Sequence, residues 1–71
     1  MSRIEKIKTL VDCGVKVYDN NIGYEIKKDK LGQYLITYKP NGYCIGLTDQ
    51  TGTHLNAGNP FYMNGNEVVY L

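Results

Sequence analysis

The stretch Gln33–Gly52, QYLITYKPNGYCIGLTDQTG, carries the decision about the fold. It sets Tyr34, Ile36 and Tyr38 in alternation, breaks at Pro40-Asn41-Gly42, and resumes with Ile45 and Leu47. Large residues at every second position mark a strand with one buried face, and Pro-Asn-Gly is turn chemistry. The two halves read as antiparallel neighbours, and the loop length sets which side chains share a face. A three-residue loop would put Tyr38 opposite Cys44 and turn Ile45 and Leu47 away from the tyrosines. A loop of two or four residues sets Tyr38 against Ile45 and Ile36 against Leu47, with all the large side chains on one side. Proline in place of a closing amide costs about 1 kcal/mol, whereas exposing Ile45 and Leu47 forfeits roughly 1.5 to 3 kcal/mol for each. Burial outweighs the turn. The second register is expected, and Tyr24, Tyr34 and Tyr38 then line a core with their hydroxyls at its rim.

The same reasoning extends in both directions. Asp29-Lys30-Leu31-Gly32 and Asp49-Gln50-Thr51-Gly52 suit type I turns closing three-residue hairpin loops. Ile26 then faces Ile36, Tyr24 faces Tyr38 and Leu47 faces Leu55. The other side of the sheet, with Glu25, Lys27, Leu35, Thr37, Cys44, Gly46 and Thr48, is expected to be plain solvent-facing surface. Upstream, Ser2 and Glu5 have capping-box spacing. Ile4, Ile7, Leu10 and Val11 form one apolar helical stripe, and Gly14 followed by Val15 suits a Schellman stop. Downstream, Phe61 and Met63 share a face with Val68 and Tyr70 if the turn at Asn64-Gly65 has two residues. The expected architecture is α+β in one domain, residues 1–71. One helix over about residues 3–13 packs on a strongly bent antiparallel β-meander of five or six strands spanning about 15–71.

Bulk properties narrow the function. A chain of 71 residues has room for a single small core. With two cysteines, Cys13 and Cys44, it carries fewer than a small disulfide scaffold usually does. Reduced thiols and a cytoplasmic location are expected. The amino terminus alternates charge with aliphatic residues and does not read as a signal peptide; no run is long enough to span a bilayer, so no membrane partner is expected. Net charge is +1, too small to imply nucleic acid. All eight Lys and Arg residues nevertheless precede Pro40. Arg3, Lys6, Lys27, Lys28, Lys30 and Lys39 are accordingly the candidates for a nucleic-acid-binding alternative, in which exposed tyrosines would stack on bases.

Chemistry is poorly represented. The lone histidine, His54, excludes a multi-histidine metal site, and Cys13, Cys44 and His54 lack ligand spacing. Asp19, Asp29 and Asp49 stand where turns want them, which weakens any paired-carboxylate hydrolase. Gly32, Gly42 and Gly52 lead into strands, unlike a phosphate-cradling loop. No catalytic residue, cofactor or metal is expected, and recognition remains. Thr51, Thr53, His54, Asn56 and Asn59 are the candidate partner-binding residues, since a polar loop that both donates and accepts suits contact. A sheet edge is a second candidate, for a partner strand or another copy, which leaves a homo-oligomer open.

The words LGQYLI and NGYCIGLT, followed by Thr51-Gly52-Thr53-His54-Leu55-Asn56, resemble small uncharacterised proteins encoded by tailed bacteriophages, over Ile4–Met63. That resemblance implies a context rather than a site: action in the infected cell by binding a host or defence protein. The expected function is therefore a non-enzymatic protein-binding module, with a host or phage protein as partner. A small β-rich nucleic-acid binder or a structural subunit of an oligomer are the alternatives.

Overall fold

The computed structural model describes residues 2–71. Helix α1 (Arg3–Asp12) precedes six strands: β1 (Val17–Asp19), β2 (Asn21–Lys28), β3 (Tyr34–Tyr38), β4 (Tyr43–Gly46), β5 (Pro60–Asn64) and β6 (Glu67–Tyr70). Both helix ends follow from local chemistry. Ser2 accepts the Glu5 amide on its hydroxyl oxygen at 3.1 Å. At the other end Val15 N–H reaches the Leu10 carbonyl at 2.9 Å and Gly14 N–H that of Val11 at 3.0 Å, the Schellman pair. Gly14 permits this with φ at +86°.

All strands are antiparallel in one open sheet of order β4-β3-β2-β1-β5-β6. The fold class is α+β, as expected, with six strands. Chain order follows a meander through β4 and then departs from it: the chain returns across the molecule so that β5 pairs with β1, not with β4. The returning segment brings Leu47 and Ala57 into one cluster with Ile7, Val17, Ile26 and Ile36. Leu47 and Ile7 are fully buried, worth roughly 1.5 to 3 kcal/mol each. Asp19 secures the junction. Its buried carboxylate accepts the Asn59 amide at 2.8 Å, and the Asn59 carbonyl accepts the Asn20 amide at 3.1 Å. Pro60, which has no amide to offer, opens β5 opposite Asp19.

Register confirms the face but shifts the pairs. Tyr24 faces Tyr38 and Ile26 faces Ile36, as expected, and the two tyrosine rings lie 4.6 Å apart. The Lys39–Gly42 loop has four residues and sets Tyr38 opposite Tyr43 and Ile36 opposite Ile45. Tyr38 with Ile45 and Ile36 with Leu47, the anticipated partners, are therefore displaced by two positions. Parity is preserved, so the large residues still share one side. The displacement costs Ile45 its burial: at 41 % it is exposed, because the returning chain covers Leu47 instead. The Asp29 loop is a three-residue loop with a bond from Asp29 N–H to the Gln33 carbonyl at 2.8 Å. Asp49 behaves differently. It pairs with His54 across a four-residue loop, so Leu55 bridges Thr48 rather than Leu47. At the last hairpin the turn has two residues, Gly65 and Asn66, between the closing pair Asn64 and Glu67. A positive φ of +63° at Gly65 fits a type II′ hairpin.

Candidate functional site

Strand alternation assigns the sheet two faces. Val17, Ile26 and Ile36 meet the helix and the returning chain, so their neighbours Tyr18, Glu25 and Thr37 point the other way. Tyr18 pairs with Phe61, and Phe61 pairs with Tyr70. Phe61, Met63, Val68 and Tyr70 thus extend the outer face across β5 and β6. Ring centroids are 5.5 Å apart for Tyr18 and Phe61 and 6.0 Å for Phe61 and Tyr70. Phe61 is only 5 % exposed and stands outside the main core, covered in part by those two rings. Around it Met63, Val68 and Tyr70 are 40, 45 and 63 % exposed. Next to Tyr18 the apolar ground ends in charge. Lys39 Nζ lies 3.2 Å from Glu25 Oε1 and 5.1 Å from the centre of the Tyr18 ring.

This apolar ground was not anticipated; the outer face was expected to be plain throughout. The expectation holds over β2 to β4 and fails over β1, β5 and β6. The sequence carries a signal, in that the spacing of Phe61, Met63, Val68 and Tyr70 puts them on one face. Which face they share depends on β5 joining β1, and no local pattern encodes that. In Val17-Tyr18 and Phe61-Tyr62 both parities are apolar, so alternation is silent there.

Most of the polar loop residues are engaged within the loop itself or with the neighbouring backbone. Asp49 Oδ1 accepts from the Thr51 hydroxyl at 2.8 Å and from the amides of Thr53 and His54 at 3.2 and 3.3 Å. These bonds, led by the one from Thr51, hold the Asp49 carboxyl below its usual range. Thr51 and Thr53 share a hydroxyl bond of 2.7 Å. Asn56 gives its side-chain amide to the Gly46 carbonyl at 3.0 Å, beside the edge of β4. Asn59 uses its backbone at the Asp19 junction, away from that loop. The fold brings Thr51, Thr53 and His54 together around Asp49, with Asn56 on the ladder that closes the same loop, and engages Asn59 elsewhere, at Asp19 and Asn20.

The basic candidates are divided as well. Arg3 and Lys6 lie on α1, Lys27 and Lys39 on the outer face, and Lys30 in the Asp29 loop. Lys28 sits 3.4 Å from Asp12 Oδ1 and, with Lys8, over the Tyr34 ring. Tyr34 and Asp49 border a cleft of about 590 Å³, along with Lys8, Gln33, Leu47 and Gln50. Of its polar groups, Tyr34 anchors the helix through Asp12 and Asp49 closes its own loop. Among the described residues no three His, Cys, Asp or Glu side chains gather to hold a metal, and no helix is long and apolar enough to cross a membrane. Comparison with protein-family models, curated proteins and solved structures finds no match to this chain.

Proposed function

We propose that this chain is a non-enzymatic protein-binding module that docks a partner on the outer face of the β5–β6 hairpin. The observation that carries the reading is the exposed group Met63, Val68 and Tyr70, contiguous on one face around the buried Phe61. Large apolar side chains grouped in the open, bordered by charge, have the anatomy of a recognition surface. Aromatic anchors supply much of the free energy at such surfaces. The likeness of LGQYLI and NGYCIGLT to phage proteins supports a phage accessory protein that binds or inhibits a host factor, acting in the host cytoplasm. Two exposed, unbridged thiols suit a reducing compartment.

Affinity capture from nuclease-treated bacterial lysate tests the reading, with wild type compared against Met63→Glu. The charge is placed on β5, so the free edge of β6 is untouched. A stoichiometric protein retained by wild type and lost by the variant supports the proposal. Equal retention by both, or capture that disappears with nuclease, defeats it; the latter brings the nucleic-acid alternative forward.

A further inference from the structure

We infer that the free edge of β6 pairs with β6 of a second copy of this chain, in one register, to join two sheets edge to edge. Antiparallel ladders alternate hydrogen-bonded and non-hydrogen-bonded pairs. Leu71 N–H bonds to the Pro60 carbonyl at 2.9 Å, so the pairs Tyr62 with Val69 and Asn64 with Glu67 are bonded ones by alternation. Val68 and Tyr70 occupy the intervening positions. Each therefore directs an N–H and a C=O away from the sheet, toward the edge.

Only one two-fold arrangement satisfies all of these groups. With the axis at Val69, Val68 exchanges both backbone bonds with Tyr70 of the second copy, and Tyr70 with its Val68. Moving the axis to Val68 sends Tyr70 against Asn66 in the turn, and moving it to Tyr70 carries Val68 past the end of the strand, which stops at Tyr70. The favoured register also places Val68 beside Tyr70 of the other copy on the outer face. Two apolar patches then become one strip, with no charged side chain among Phe61, Met63, Val68 and Tyr70.

The other edge is less open to this. On β4 the Gly46 carbonyl is taken by Asn56. On β6 three guards of an edge are absent: Glu67-Val68-Val69-Tyr70 contains no Lys and no Pro, and its register with β5 runs without a bulge. A net charge of +1 per chain opposes association little. A short strand pair with its flanking side chains falls below the roughly 1,200 Å² of a standard interface, which puts the dimer among weak, transient associations. The dimer leaves the outer face open, so it is independent of the partner-binding reading.

Sedimentation equilibrium from about 10 µM to 1 mM is the first measurement. The weight-average mass is expected to rise from the 8.0 kDa monomer toward twice that. Tyr70→Lys should remove the rise. A monomer at every concentration, or an unchanged rise in Tyr70→Lys that retains the wild-type circular dichroism, overturns the inference. Register is read by oxidation in a Cys13→Ser, Cys44→Ser background. Val69→Cys faces its own copy in a non-hydrogen-bonded pair within disulfide reach, whereas Val68→Cys lies more than about 7 Å from its copy. Val69→Cys should cross-link at least about tenfold faster. Equal rates, or a faster Val68→Cys, refute the axis at Val69.

Discussion

Tyr34 donates its hydroxyl to Asp12, 2.8 and 3.0 Å from the two carboxylate oxygens, and so ties the last turn of the helix to β3. Lys28 of β2 joins at 3.4 Å from Asp12 Oδ1. A residue from each of three elements thus meets at the helix carboxy terminus, the end at which the macrodipole favours a cation over the aspartate alone.

The Asp12 anchor makes stability depend on pH at both extremes. The Tyr34 hydroxyl, then Lys28, holds the Asp12 carboxyl below its usual range. A depressed carboxylate stabilises the fold above its ordinary value, about 4, and that contribution is lost as pH falls through the depressed value. The Asp12 carboxylate raises both the Lys28 ammonium and the Tyr34 phenol. Their contributions are full below about 10 and are lost as pH rises through the raised values. Urea unfolding across pH should show a plateau between these limits. Tyr34→Phe should lower the plateau and flatten the acid limb; an acid limb as steep as wild type would contradict the assignment.

Leu47 and Ile45 should respond very differently to truncation. Leu47→Ala opens a cavity in the core and is expected to cost about 2 to 5 kcal/mol. Ile45→Ala, at an edge position that is 41 % exposed, is expected to cost under about 1 kcal/mol. Chemical denaturation of the two variants measures both. Comparable losses would restore the register in which Ile45 packs against Tyr38.

Asp19 should prove to be the residue that holds β5 beside β1. Asp19→Ala strands the Asn59 amide at a buried junction, a loss of about 1 to 3 kcal/mol. Asp19→Asn retains an acceptor oxygen and should lose less. Hydrogen exchange at the Asn59 amide reports on the bond directly, and slow exchange in Asp19→Ala would show that another group carries the junction.

Both cysteines should be available in the folded protein. Cys13 caps the helix and Cys44 lies on β4, each exposed and unbridged. An aromatic disulfide reagent should label two thiols per chain before any unfolding. Protection of Cys44 would indicate that the edge of β4 is covered in solution.

Elements that close over a few residues were legible without coordinates. Ser2 accepting the Glu5 amide, Gly14 with Val15, and the Asp29 loop each form their hydrogen bonds within one or two turns of chain, although among the described residues the return bond of a full capping box, from the Ser2 amide to the Glu5 carboxylate, is not formed. Sequence spacing and spatial spacing are then the same thing. Face parity at Tyr38 was legible for a related reason, since exposing two aliphatic side chains outweighs the loss of one amide. The exact partners were not, because the loop is Lys39–Gly42, closed by Tyr38 and Tyr43, and not one centred between Asn41 and Gly42; a shift of two residues keeps every side chain on its face.

Periodicity and capping thus determined the helix, the strands and the buried side of β2 and β3. Where the last hairpin attaches was decided by the folded whole: by Leu47 and Ala57 finding the core and by Asp19 meeting Asn59 across forty residues. The reason is that burial and long-range hydrogen bonding depend on what surrounds a residue, and a dipeptide such as Phe61-Tyr62, apolar on both sides, has no preference of its own. The outer apolar ground, and the free edge beside it, exist because tertiary packing made that choice.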